Sequence, residues 1–298
     1  MRLHFLAASL LLCLLAGLSH AEAVVPFEPD LESVVVLRVD GTLVLSPKGE
    51  VVDYVISTKL SDELRRRLRL AVGTWTFKPV LIDGVAREVR TDMRVMLAAR
   101  PVADSYRIDV DNVLFTGKGG IVPDNAKPPE AAIRGRSLSL PVYPQGLAAA
   151  NVRGTVLLAI RVSPEGRAEE VAVTQSMLVD VRGRPQLMKQ ALRAFEWAST
   201  NAAKGWTFNI PPALARRPGA ERTVTVPVVF VGRNQGPTGF DADGQWHTFV
   251  RGPMRPIRWQ PIRAGAQRVG VTDVAQGEMI PLISAIALTS DVVGAPLL

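Results

Sequence analysis

Short apolar runs separated by turn residues recur along the first hundred residues. Val34 to Val39, Thr42 to Leu45 and Val51 to Ile56 are rich in β-branched side chains, and Asp40-Gly41 and Pro47-Lys48-Gly49 separate them. Runs of this kind bounded by Asp-Gly and Pro-x-Gly predict strands joined by tight turns. The period then changes. Leu60, Leu64, Leu68, Ala71 and Val72 recur at helical spacing, with Arg65, Arg66, Arg67 and Arg69 between them. This predicts an amphipathic helix whose arginines form its solvated face. Ser61 can cap its first amides, Asp62 and Glu63 complement its dipole, and Gly73 is a stop. Trp75-Thr76-Phe77 opens a new extended run, Asp83-Gly84 turns it, and Val89 to Leu97 closes the unit.

The same order of signals returns later. Thr155 to Val162, the turn Ser163-Pro164-Glu165-Gly166, and Ala168 to Gln175 repeat the hairpin. Pro185 opens a helix with Leu187, Ala191, Leu192 and Phe195 on its apolar stripe, and Trp206-Thr207-Phe208 and Thr223 to Val231 follow. A repeated order with a loop-sized difference in length reads as a duplicated module. The connector from Pro101 to Pro141 contains a strand candidate, Tyr106 to Phe115, and a Gly/Pro/charge-rich loop, Gly117 to Arg136. The expected organisation is an N-terminal segment (1–23), a first module (24–100), a connector (101–139), a second module (140–232) and an irregular C-terminal extension (233–298). The fold class expected is α+β, with two small helix-backed antiparallel sheets.

Composition and the N-terminus set the context. Arg2 followed by the apolar Phe5–Leu18 and by Ser19-His20-Ala21 has the form of a cleaved secretory signal. This implies a periplasmic protein that is soluble after export. The single Cys, Cys13, lies inside that segment, so a mature chain starting near Glu22 or Val24 would carry no thiol or disulfide. The net charge is +7 and the pI about 10.0. Outside the cytoplasm such charge suits anionic lipid, peptidoglycan or acidic proteins rather than nucleic acid. Arg251, Arg255 and Arg258 around Trp259 are the candidate anionic contacts.

Catalysis has little to work with. His4 and His20 lie in the N-terminal segment, which leaves His247. A nucleophilic triad would have to use it, and a zinc site of usual type would lack ligands. The expectation is a non-enzymatic protein without cofactor, metal or small-molecule substrate.

The second module resembles the TonB C-terminal domain family. The resemblance is carried by Pro141-Val142-Tyr143-Pro144, by Gly154 opening a strand, and by Ser163-Pro164-Glu165-Gly166. Ala191-Leu192-Arg193-Ala194-Phe195, Trp206-Thr207-Phe208 and Val226-Pro227-Val228-Val229-Phe230 complete it. The first module carries Trp75-Thr76-Phe77-Lys78-Pro79 but lacks the Pro-x-Tyr-Pro start. The resemblance implies a three-stranded sheet with helices on one face. It also implies pairing of the last strand with an extended segment of an outer-membrane receptor or other envelope protein. The residues implied are Thr223, Val224, Thr225, Val226, Val228 and Phe230, with Val89 to Leu97 as the counterpart in the first copy. Pro227 suits an edge strand. No long Pro-rich spacer follows the N-terminal segment. Energy transduction to outer-membrane receptors, and with it a role in transmembrane transport, is the alternative if that segment is an uncleaved anchor.

Overall fold

A computed structural model describes residues 31–115, 133–232, 244–259, 267–282 and 284–297. The segment read as an export signal lies outside them. In chain order the first half comprises β1 (Glu32–Leu45), β2 (Val51–Ile56), α1 (Asp62–Gly73), β3 (Leu81–Ile82), β4 (Val85–Ala86), β5 (Val89–Val102) and β6 (Ser105–Phe115). The second comprises β7 (Arg134–Ser137), α2 (Gln145–Ala149), β8 (Arg153–Val162), β9 (Ala168–Val179), α3 (Pro185–Ala203), β10 (Thr207–Asn209), α4 (Pro212–Ala215) and β11 (Thr223–Phe230). The tail adds β12 (His247–Arg251) and β13 (Ile280–Pro281).

The two halves share one hydrogen-bonded scheme. In the first hairpin Gly41 faces Ile56, and a bulge falls between Val44 and Leu45. In the second, Leu158 faces Val173, and a bulge falls between Arg161 and Val162. The last strands dock in matching register. Val39 faces Val95 and Leu37 faces Leu97 in the first half; Val156 faces Val228 and Gly154 faces Phe230 in the second. Phe77 and Phe208 each donate an N–H to the carbonyl of a turn glycine, Gly49 at 2.8 Å and Gly166 at 2.7 Å. Those glycines have φ of 82° and 81°, and a Cβ on either would lie about 2 Å from a phenylalanine carbonyl oxygen. Only glycine meets both demands.

The expectation of two small, separate sheets is corrected. The described residues are mostly β, 43% strand against 19% helix. One antiparallel sheet runs β13-β11-β8-β9-β12-β1-β5-β6, with β2 also on β1. β12 makes the join: Phe249 pairs with Val34 on one side and Val179 on the other. Thr248-Phe249-Val250 is a β-branched and aromatic run that the Gly- and Arg-rich surroundings obscured. The turns at Pro47-Lys48-Gly49 and Pro164-Glu165-Gly166 form as expected, but the turn expected at Asp40-Gly41 does not: both residues lie inside β1, where ladder pairing with Arg94 and Met93 keeps the strand unbroken. What the local signals did not contain is the long-range pairing that fuses the halves.

Register also fixes the faces. Phe249 points with Val34 into one cluster, while its neighbour Val250 joins the core under α3. Leu37 and Val39, which alternate with Val36, pack under α1. Both helices therefore back the same face. The opposite face is filled by the tail, through Val269, Val271, Val274, Ile280 and Leu282. Gln267 exchanges two hydrogen bonds with the Phe115 backbone on β6, while Ile280 pairs with Thr225 on β11. These are the two ends of the sheet, so the sheet curls around residues 267–282. Beyond them, Leu288 bridges to Phe77, and Ala295 accepts from the Val110 N–H on β6. The tail is thus structural: most of its described backbone is irregular, yet it supplies β12 and β13 to the sheet and packs on it.

Candidate strand-docking edge

β11 reads Thr-Val-Thr-Val-Pro-Val-Val-Phe and pairs with β8 along its whole length. Val224, Val226, Val228 and Phe230 pack into the α3 core, and Phe230 stacks on Phe195 with ring centroids 4.2 Å apart. Thr223 donates to the Gly219 carbonyl at 3.1 Å, and Thr225 to the Ile280 carbonyl at 2.9 Å. The side chains expected to meet a partner are therefore committed to the fold. What β11 can offer is its outer backbone edge.

On that side β13 pairs only with Val224 and Thr225. Among the described residues no strand pairs with Val226–Phe230 there. The first half shows what the same place accommodates. β5 carries β6 along its outer side from Met93, opposite Phe115, through Leu97, opposite Val110, to Val102. By the matched register Met93 corresponds to Val226 and Leu97 to Phe230. Within Val89–Leu97, the first-copy counterpart site, Met93–Leu97 is therefore closed on both sides by β1 and β6. Among the described residues the edge is filled in one copy and unpaired over five residues in the other.

The arginine group is not one surface. Arg251 on β12 holds Asp111 through two bonds, 2.7 and 2.8 Å, and Glu32 at 2.7 Å. Burial opposes its charge, but Asp111 and Glu32 more than compensate and raise its pKa. Burial likewise pushes the Glu32 carboxyl up, and hydrogen bonds from Arg251 and Arg100 bring it below its usual range. Arg255 grips Glu196 on α3 at 2.9 and 3.1 Å. Trp259 donates to Thr223 Oγ1 at 3.2 Å and lies under the Arg161 guanidinium. Arg258 is exposed. Arg251 and Arg255 thus tether the tail to the fold, while the side chains of Arg255 and Arg258 remain exposed.

Sequence reasoning missed two features. One is a cavity of about 390 Å³ between α3 and the stretch after β12, lined among others by Ser176, Leu192, Glu196, Met254 and Arg255. The other is a buried polar network under the tail. Arg94 binds Asp40 at 2.6 Å and Glu278 at 2.8 and 3.1 Å, and donates to the Asp273 carbonyl. Arg38 joins Asp40 at 2.6 Å. Burial raises the Asp40 pKa, but the two arginines outweigh it and hold the carboxyl low. Asp273 Oδ2 accepts from the Gly270 N–H at 2.6 Å and from Asn112, while its Oδ1 is buried without a hydrogen-bond partner. Burial pushes Asp273 up to about 6. Arg94 between Met93 and Val95 was a visible signal: a charge inside an apolar strand needs a buried partner.

His247 sits on β12 opposite Val36. Among the described residues no group of three or more His, Cys, Asp or Glu side chains could hold a metal ion, and no helix is long and apolar enough to cross a membrane. No protein-family model matches this chain, and no curated protein or solved structure is significantly similar to it.

Proposed function

We propose that this chain is a non-enzymatic binding protein of the cell envelope that takes up extended segments of other envelope proteins by strand addition to β11. The carrying observation is the difference between the two copies. β5 bears a full antiparallel strand where Val226–Phe230 of β11 bear none among the described residues. Strand addition uses backbone groups, which agrees with an edge whose side chains are already buried. Pro227 has no N–H and blunts the edge against indiscriminate pairing, so affinity is modest. The envelope assignment rests on the N-terminal sequence alone, and the resemblance to TonB C-terminal domains supplies the mode of pairing.

Hydrogen exchange on the full exported chain tests this reading. Partners captured from an envelope extract should slow exchange at 226–230. Protection elsewhere with none at β11 would sink it.

A further inference from the structure

Two independent features bear on what the open edge takes up. The first is β6, which occupies the corresponding place in the other copy. Phe115 lies opposite Met93, Val113 opposite Val95 and Val110 opposite Leu97, and all three pack into the core under α1. Asn112 lies opposite Met96, on the other face. Carried over in register, Phe115, Val113 and Val110 stand where a strand would face Val226, Val228 and Phe230, and Asn112 where it would face Val229.

The second is an exposed apolar row beside the same edge. Leu138 and Met279 both crowd the position that a Cβ on Gly135 would take, next to β13. Tyr143, at the other end of the stretch, packs edge-on against Phe230 with ring centroids 5.3 Å apart. The chain from Leu138 to Tyr143 thus spans from Met279, next to β13, to Phe230 at the end of β11. Ser139 is tied down by its carbonyl, which accepts from Trp206 Nε1 at 2.9 Å. Between these anchors Leu140 is 90% exposed and Val142 82% exposed. Alternate apolar residues held in solvent on an anchored extended stretch form a surface that a docking strand can cover.

We propose that the segment taken up at β11 is about five residues long, runs antiparallel to it, and is apolar opposite Val226, Val228 and Phe230 and polar opposite Val229. Its apolar side chains lie against Leu140 and Val142. The proposal rests on the strand-addition reading, and β6 is its internal template. Cross-strand apolar pairs supply the selectivity, each of modest size, and three in phase discriminate by about tenfold or more.

The test uses the full chain and two synthetic peptides. One copies Asp109–Phe115; the other has the same composition with its apolar residues displaced by one position. Fluorescence anisotropy reads affinity and hydrogen exchange locates the contact. The expected result is binding of the first peptide with protection at 226–230, and at least about tenfold weaker binding of the second. Leu140→Asp and Val142→Asp should each weaken the first peptide severalfold with an unchanged melting temperature. Equal binding of both peptides at 226–230 would overturn the apolar pattern and leave strand addition standing. Failure of both peptides while envelope-derived partners still protect 226–230 would do the same. No protection at β11 from any source would end both proposals. A concentration-dependent dimer with the same protection would make a second copy of the chain the occupant and overturn this one.

Discussion

Replacing Asp273 by Asn isolates a charge that the fold holds at a cost. Asp273 is fully buried, its Oδ1 has no hydrogen-bond partner, and burial lifts its pKa from 3.8 to about 6. Asp111 adds to the rise, while Arg251, Asn112 and the Gly270 N–H oppose it. A carboxyl with a raised native pKa favours the folded state when protonated. Below the unfolded value near 4 both states carry the proton and there is no penalty. As pH rises towards 6 the unfolded chain loses its proton first, so stability falls, and above about 6 the loss is complete. A rise from 3.8 to about 6 corresponds to roughly 3 kcal/mol. The Asp273→Asn side chain keeps an acceptor for Gly270 and Asn112, but its amide NH2 faces the partnerless spot, a pH-independent cost of about 1–3 kcal/mol. The informative quantity is therefore the difference between variant and parent as a function of pH. Urea unfolding from pH 4 to 8 should show that difference moving in favour of the variant by roughly 3 kcal/mol between pH 4 and 7. A difference that stays flat across this range would refute the buried, ionised Asp273.

Arg94→Met should cost roughly 3 kcal/mol in urea unfolding, because it removes the two-bonded partner of the nearly inaccessible Glu278, leaving it Arg38 at 3.7 Å, and half of the Asp40 contacts. Arg251→Ala should lose about 1–3 kcal/mol of stability, since the buried Asp111 loses its two-bonded partner and keeps Arg100 at 3.1 Å. It should leave binding to anionic vesicles unchanged; the reverse pattern would restore Arg251 as a surface contact. Gly49→Ala and Gly166→Ala should each destabilise by at least about 2 kcal/mol, since both sit at positive φ with a carbonyl in the way of a Cβ. A large difference between the two would break the equivalence of the halves.

Local chemistry determined much of this protein from the sequence alone. Ser46-Pro47-Lys48-Gly49 and Ser163-Pro164-Glu165-Gly166 specify the same turn, since a Pro followed two residues later by a Gly at positive φ admits few conformations. The spacing of Leu64, Leu68 and Val72, and of Ala191, Leu192 and Phe195, placed both helices and their buried faces. Pro227 suits a strand near an edge, and among the described residues β11 is followed outward only by the two residues of β13. Tertiary structure decided the rest. β12 carries the pattern of any short strand, and nothing local says that Phe249 lies between Val34 and Val179. The arginines after it look like a basic surface in one dimension, yet Arg251 and Arg255 meet Asp111, Glu32 and Glu196, which are far away in the chain. Whether a strand edge is open, and whether a charge is paired, depends on which distant segment arrives there. Period and propensity describe neighbours in sequence and are silent about that.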